Sequence, residues 1–183
     1  METDIKPKIV PMVRVEKDFL PSLYFDKLKN MVESNNFNWF FQSQTVTNPF
    51  VEEDNNFKFS HNLFAFEKGK NSEAFKEFEP IVYFLSNKIK IKQLLRMHLN
   101  LYTNQNKRIE HVSHYDIDER GKPKQNVTVS VMNFTTCNGG TIIRDKKYPS
   151  HENEVLIFNN LNKHSGVVQT DTHTRIVLNI ATE

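Results

Sequence analysis

From residue 95 onward the chain alternates with a period of two, and no helical pattern interrupts it. Leu95, Met97, Leu99 and Leu101 alternate with Arg96, His98, Asn100 and Tyr102, and near the C-terminus Ile176, Leu178 and Ile180 alternate with Arg175, Val177, Asn179 and Ala181. Successive side chains of a strand point to opposite faces, so each run reads as a strand with one face against a core. Val127, Val129 and Val131 alternate with Thr128, Ser130 and Met132. Gly139-Gly140 predicts a turn before Thr141-Ile142-Ile143, and Val155 to Phe158 predicts another strand. Short strands at this spacing, with no helices between them, predict a β-sandwich or barrel-like jelly roll.

The first half reads differently. Ser22 is placed to cap a helix running to about Glu33, with Phe25, Leu28 and Val32 on one face. A second helical region starts near Ser72 and carries Phe75, Phe78, Val82 and Leu85, with Pro80 placed to split it. Residues 39 to 70 mix aromatics with Asn, Glu and Lys and carry no period. These helices are expected to cover one outer face of the β-structure. No repeat or linker marks a boundary, so a single domain is expected over 1–183, with helical support to about 94 and a β core over about 95–183.

Composition excludes several classes. The 15 Phe argue for a folded core, and 24 basic against 22 acidic residues leave a net charge of +2, too mild for a chain that mainly grips phosphate backbones. The single Cys137 excludes an internal disulfide framework and a cysteine-based zinc knuckle. Met1-Glu2-Thr3-Asp4 is acidic with no apolar stretch behind it, and the longest apolar run is Ile81 to Leu85. A soluble intracellular protein, with no membrane partner, is the expectation.

The chemistry concentrates in His114-Tyr115-Asp116, followed by His164 and then by Arg175. Residues at i and i+2 of an extended segment project to one side, so imidazole and carboxylate can reach the same metal ion, and a distant histidine can complete one triangular face. Two His and one carboxylate leave three adjacent positions open, which suits non-heme Fe(II) and O2 chemistry, whereas a structural zinc site is closed by four protein ligands. His111 has Ser113 as its i+2 residue, a poor ligand, and is read as a histidine beside the metal or on the surface. His151 and His173 compete with His164 for the third position. His164 is preferred because it follows a strand and precedes Gly166. An inward-facing Arg175 would be an uncompensated charge unless an anion such as a ligand carboxylate meets it.

These residues carry a resemblance. The segment from Arg96 to Ala181 resembles the catalytic core of the Fe(II)/2-oxoglutarate-dependent oxygenases, whose pattern is His-x-Asp, a distal His, and Arg or Lys about ten residues on. It is most similar to the small prolyl-hydroxylase-like members that bacteria and phages encode. Gly139-Gly140-Thr141, Val155-Leu156-Ile157-Phe158 and Arg175-Ile176-Val177-Leu178-Asn179 follow family habits as well. The resemblance implies an α+β, mainly β fold, a double-stranded β-helix (jelly roll) with N-terminal supporting helices. It implies Fe(II) on His114, Asp116 and His164, and 2-oxoglutarate and O2 as cosubstrates. Arg175, Tyr102 and Asn100 would bind 2-oxoglutarate. The expected activity is a dioxygenase that hydroxylates its substrate and releases succinate and CO2, in the cytoplasm of a bacterium or of a phage-infected host.

Collagen-type relatives carry Lys where this chain has Arg175. Nucleic-acid demethylases add a second Arg six residues later, where Ala181 stands, which counts against a nucleic-acid substrate. Substrate selection is expected in residues 39 to 70 and in the loop 117 to 126. The expected substrate is a peptide or protein residue, proline first, with a free amino acid or other small metabolite as the alternative. Two readings from other classes remain at this stage. One is a non-enzymatic jelly-roll binding module; the other is a cupin-type metal enzyme needing no 2-oxoglutarate, although the early His-x-His of cupins is missing.

Overall fold

The computed structural model describes residues 13–46, 51 and 55–183. Most of Asn48 to Asp54, at the centre of the first expected substrate segment, lies outside them, as do Met1 to Asp4. In chain order the elements are β1 (Val13–Glu16), α1 (Ser22–Glu33), β2 (Phe40–Gln42), β3 (Lys58–Ala65), β4 (Gly69–Lys70), α2 (Phe75–Phe78), α3 (Ile81–Ser86), β5 (Leu94–Thr103), β6 (Asp118–Glu119), β7 (Lys122–Pro123), β8 (Thr128–Asn133), β9 (Cys137–Ile143), β10 (Lys146–Ser150), β11 (Val155–Asn159), β12 (His164–Val167) and β13 (Thr174–Thr182). The main sheet runs β1-β11-β8-β13-β5-β3-β2, with β4 beside β3. A second sheet runs β10-β9-β12, and β6 and β7 form a separate ribbon. No helix among the described residues is long and apolar enough to cross a membrane.

The alternation divides the main sheet into two faces. Met97 and Leu99 of β5 and Ile176, Leu178 and Ile180 of β13 enter the larger core, where they meet Phe25, Leu28 and Val32 of α1, Phe75 and Phe78 of α2, and Ile81 and Leu85 of α3. Phe134 sits at the centre of this layer, fully buried, stacked on Phe25 at 5.6 Å and edge-on to Phe78 at 6.4 Å. The other face turns toward the second sheet. There Tyr102, Val129, Val131, Phe158 and Val177 pack with Ile143, and between the sheets a cavity remains. Two antiparallel sheets enclosing a cavity, with helices on one outside face, make the expected jelly roll.

Two local expectations change. Ser22 is the first helical residue of α1 rather than its cap. The cap position is Pro21, whose carbonyl accepts from Tyr24 and Phe25, so proline's restricted φ replaces the expected side-chain bond. Gly139 and Gly140 make no turn; both lie inside β9. A Cβ on Gly139 would sit 2.8 Å from the Val167 carbonyl and 3.0 Å from Cδ of Arg175, and one on Gly140 would strike the Tyr148 carbonyl. They are glycines because strand and side chain approach too closely for anything larger. The turn comes after β9, at Arg144 and Asp145 with φ of 51° and 62°, a two-residue hairpin without the usual Asn-Gly signal.

The first half is also less helical than expected, since β1 pairs with β11 and β2 to β4 extend the main sheet beyond β5. The register of β3 against β5 slips between Asn62 and Phe64. A bulge of that kind breaks the two-residue period, which removes the signal by which a strand is read. Pro80 does separate α2 from α3, as its spacing predicts.

Candidate metal centre

The segment 109–116 belongs to no named strand, yet it is bonded to β12 like one. Val168 N donates to the Ile109 carbonyl at 2.9 Å, His111 N to Gly166 at 2.9 Å, and His114 and His164 exchange both backbone bonds at 3.0 Å. The two histidines are therefore direct cross-strand partners, with ring centroids 4.5 Å apart. Asp116, two residues past His114, projects to the same side. One potential ligand atom from each of His114, Asp116 and His164 lies within 4.8 Å of the others. Gly166 serves this pairing, because a Cβ there would press on Nδ1 of His111 at 2.9 Å.

Each of the three is prepared electronically. Nδ1 of His114 donates to the Val112 carbonyl at 3.0 Å, which leaves the lone pair of the neutral ring on Nε2. Burial lowers the His114 pKa, and burial, opposed by Asp116, lowers that of His164 to about 4, so both rings are neutral at physiological pH. Burial pushes the Asp116 carboxyl up, but attraction to His164, Arg96 and His114 outweighs it and holds the group well below the ordinary carboxylate range. Asp116 Oδ1 accepts a hydrogen bond from Nη2 of Arg96. Its Oδ2, buried and 3.4 Å from Nε2 of His164, has no hydrogen-bond partner. Two neutral imidazoles and one anionic oxygen left unsatisfied are what a divalent first-row metal requires.

Across a cavity of about 440 Å³ lies Arg175. It is only 2% exposed, and among the described residues no carboxylate pairs with it. Its Nε has no partner, and its guanidinium carbon lies 5.6 Å from the Tyr102 ring centroid. Burial lowers its pKa, the cost of holding an uncompensated cation away from water. Asn100 Oδ1, on the same face of β5, is buried and likewise unpartnered. A dianion with one end at the metal and the other at Arg175 would answer all these groups together, so the residues present fit Fe(II) and 2-oxoglutarate.

All six expected site residues, His114, Asp116, His164, Arg175, Tyr102 and Asn100, line this one cavity. His151 and His173 are exposed. His111 is buried, stacks near Tyr102 at 5.0 Å and also lines the cavity. Arg96, His98 and Asn179 join the lining without having been singled out, although the alternation already placed them on the same faces as Asn100 and Arg175. Lys58, Ser60 and Asn62, at alternate positions of β3, line it as well, although the stretch 39 to 70 as a whole carries no period. Cys137 is buried at the start of β9.

No family profile matches the chain, and no curated protein matches it. Solved structures do. An oxidoreductase of the 2OG-Fe(II) oxygenase family from Burkholderia pseudomallei superposes with a TM-score of 0.65 at 9% identity, covering 96% of this chain and 86% of that one. A viral collagen prolyl hydroxylase from Paramecium bursaria chlorella virus-1, in complex with 2OG, gives 0.58 at 12% identity, covering 93% and 94%. A prolyl hydroxylase from Trichoplax adhaerens, in complex with a hypoxia inducible factor peptide fragment, gives 0.61 at 14% identity, covering 93% and 83%. The fold is that of the 2OG-Fe(II) oxygenases, a double-stranded β-helix.

Proposed function

We propose that this chain, as one catalytic domain over residues 1–183, is an Fe(II)- and 2-oxoglutarate-dependent dioxygenase. His114, Asp116 and His164 would hold the metal, and Arg175, Tyr102 and Asn100 the cosubstrate. The observation that carries the reading is a buried Arg175, its Nε without a hydrogen-bond partner, facing the His-Asp-His cluster across a single cavity. When bound, iron would let O2 act as the oxidant, with 2-oxoglutarate as the co-reductant: one oxygen atom would enter a substrate C–H bond and the other would leave in succinate, formed with release of CO2.

The chain's own residues do the rest. Val112 fixes the His114 tautomer so that Nε2 presents a lone pair, and burial keeps His164 unprotonated. Arg175 offers a charge-assisted, bidentate grip for a terminal carboxylate, which sets the direction in which the cosubstrate lies. The Tyr102 ring lies along that guanidinium, and Gly139 leaves room for its stem.

The substrate is proposed to be a residue of a peptide or protein, proline being the first to test. Phe40 and Phe41, 57% and 60% exposed, lie on β2, an edge strand among the described residues, while Gln42 at its end and Thr45 and Val46 just beyond it line the cavity. An edge strand with exposed aromatics beside the cavity suits an extended chain, which can add main-chain hydrogen bonds to the edge that no other described strand pairs with. The Trichoplax adhaerens protein that shares this fold was solved with a peptide, which agrees with this reading.

Incubating the protein with Fe(II), 2-oxoglutarate and a peptide library, then measuring succinate and the gain of one oxygen atom by mass spectrometry, tests both levels. Succinate with oxygen gained only by small metabolites would overturn the peptide substrate alone. No succinate and no bound iron would overturn the oxygenase.

A further inference from the structure

Resting on the oxygenase reading, we propose that Arg96 is a positioning residue. Its guanidinium ties up one oxygen of Asp116 so that the carboxylate meets the metal through the other oxygen alone. Arg96 lies on β5, and its cross-strand partners are Ala181 on β13 and Ala65 on β3. Two alanines beside it leave space for the long side chain to reach over the sheet surface to Asp116. The side chain of Asp116 is 4% exposed and that of Arg96 is 32% exposed, so the pair joins the cavity wall to the carboxylate that holds the metal.

The division of labour between the two carboxylate oxygens is already visible. Oδ1 accepts from Nη2 of Arg96, whereas Oδ2 lies 3.4 Å from Nε2 of His164 and carries no hydrogen bond. Only Oδ2 is left for a cation. This matters because a carboxylate can bind a metal through one oxygen or through both. With one oxygen, the two histidines and Asp116 leave three positions, two for a chelating 2-oxo acid and a third for O2. With both, one position fewer remains, and the chelate fills what is left. Holding Oδ1 on a guanidinium keeps the third position open.

Nitric oxide measures this directly, because it occupies the position O2 would take and its adduct with high-spin Fe(II) gives a characteristic EPR signal. Anaerobic wild-type protein loaded with Fe(II) is expected to give the nitrosyl signal both without and with 2-oxoglutarate. Arg96→Met is expected to give it without 2-oxoglutarate and to lose it once 2-oxoglutarate is bound. Should Arg96→Met not fold, Arg96→Gln, which also lacks the charge, carries the same expectation. An unchanged signal in the presence of 2-oxoglutarate would overturn the role of Arg96 while leaving the oxygenase intact. A variant without signal in either condition would show that Arg96 merely builds the site, and the proposal would fall. Wild-type protein without any nitrosyl signal would instead overturn the oxygenase reading on which the proposal rests.

Discussion

Replacing Arg175 by methionine should move two measurements in opposite directions. Arg175 is 2% exposed, has an unpartnered Nε, and forms no ion pair with a carboxylate among the described residues. Among the described residues it is a buried charge without a counter-ion. Exchanging such a group for an apolar one of similar volume is neutral or stabilising, and about 1–2 kcal/mol is reasonable for a side chain that borders a cavity. For a chain of this length that corresponds to a melting temperature higher by about 2–8 °C. Binding should go the other way. Hydrogen bonds to charged groups contribute about 1.5–3 kcal/mol, so the affinity for 2-oxoglutarate should fall by about 10- to 140-fold. Anaerobic calorimetry on the Fe(II)-loaded protein, with thermal unfolding of the metal-free one, reads both. If Arg175→Met lowers the melting temperature and leaves 2-oxoglutarate binding untouched, Arg175 is a structural group and the anion site lies elsewhere.

Other expectations follow from the same geometry. Asp116→Ala removes the only anionic ligand of the cluster, so the weak charge-transfer band expected on adding 2-oxoglutarate to the anaerobic Fe(II) protein should disappear; a band that survives unaltered would refute the ligand set. The metal-free protein should lose stability as pH falls from about 6.5 toward about 4. Burial holds His164 near 4 and His98 well below its ordinary value, while unfolded imidazoles take up protons from about 6.5 downward, so falling pH favours the unfolded state. Equal melting temperatures in a chelator at about pH 7.5 and about pH 5 would contradict this sign. Phe134→Ala empties the ring's place between Phe25 and Phe78 and should cost about 3–5 kcal/mol in urea unfolding, with a smaller loss pointing to collapse of the helical layer. Gly139→Ala pushes a methyl against Arg175 and the Val167 carbonyl and should cost about 1–3 kcal/mol, together with weakened 2-oxoglutarate binding measured by calorimetry.

Much of this protein was legible in one dimension. Alternation along Leu95 to Tyr102 and Arg175 to Ala181 decided which side chains share a face, because a strand's side chains point up and down in turn whatever they pair with. The i, i+2 spacing of His114 and Asp116 carried over for the same reason, although their segment pairs with β12 by only a few bonds. What tertiary structure alone decided concerns register and close approach. Nothing near Gly139 in the chain says that it lies against Arg175, and nothing near Arg96 says that it reaches Asp116. Lys58, Ser60 and Asn62 keep the two-residue period ahead of the slip at Phe64, yet that they form a cavity wall follows only from the pairing of β3 with β5. Local spacing fixes which way a side chain points, whereas the partner it meets depends on how distant strands align, and that alignment is a property of the whole packed sheet.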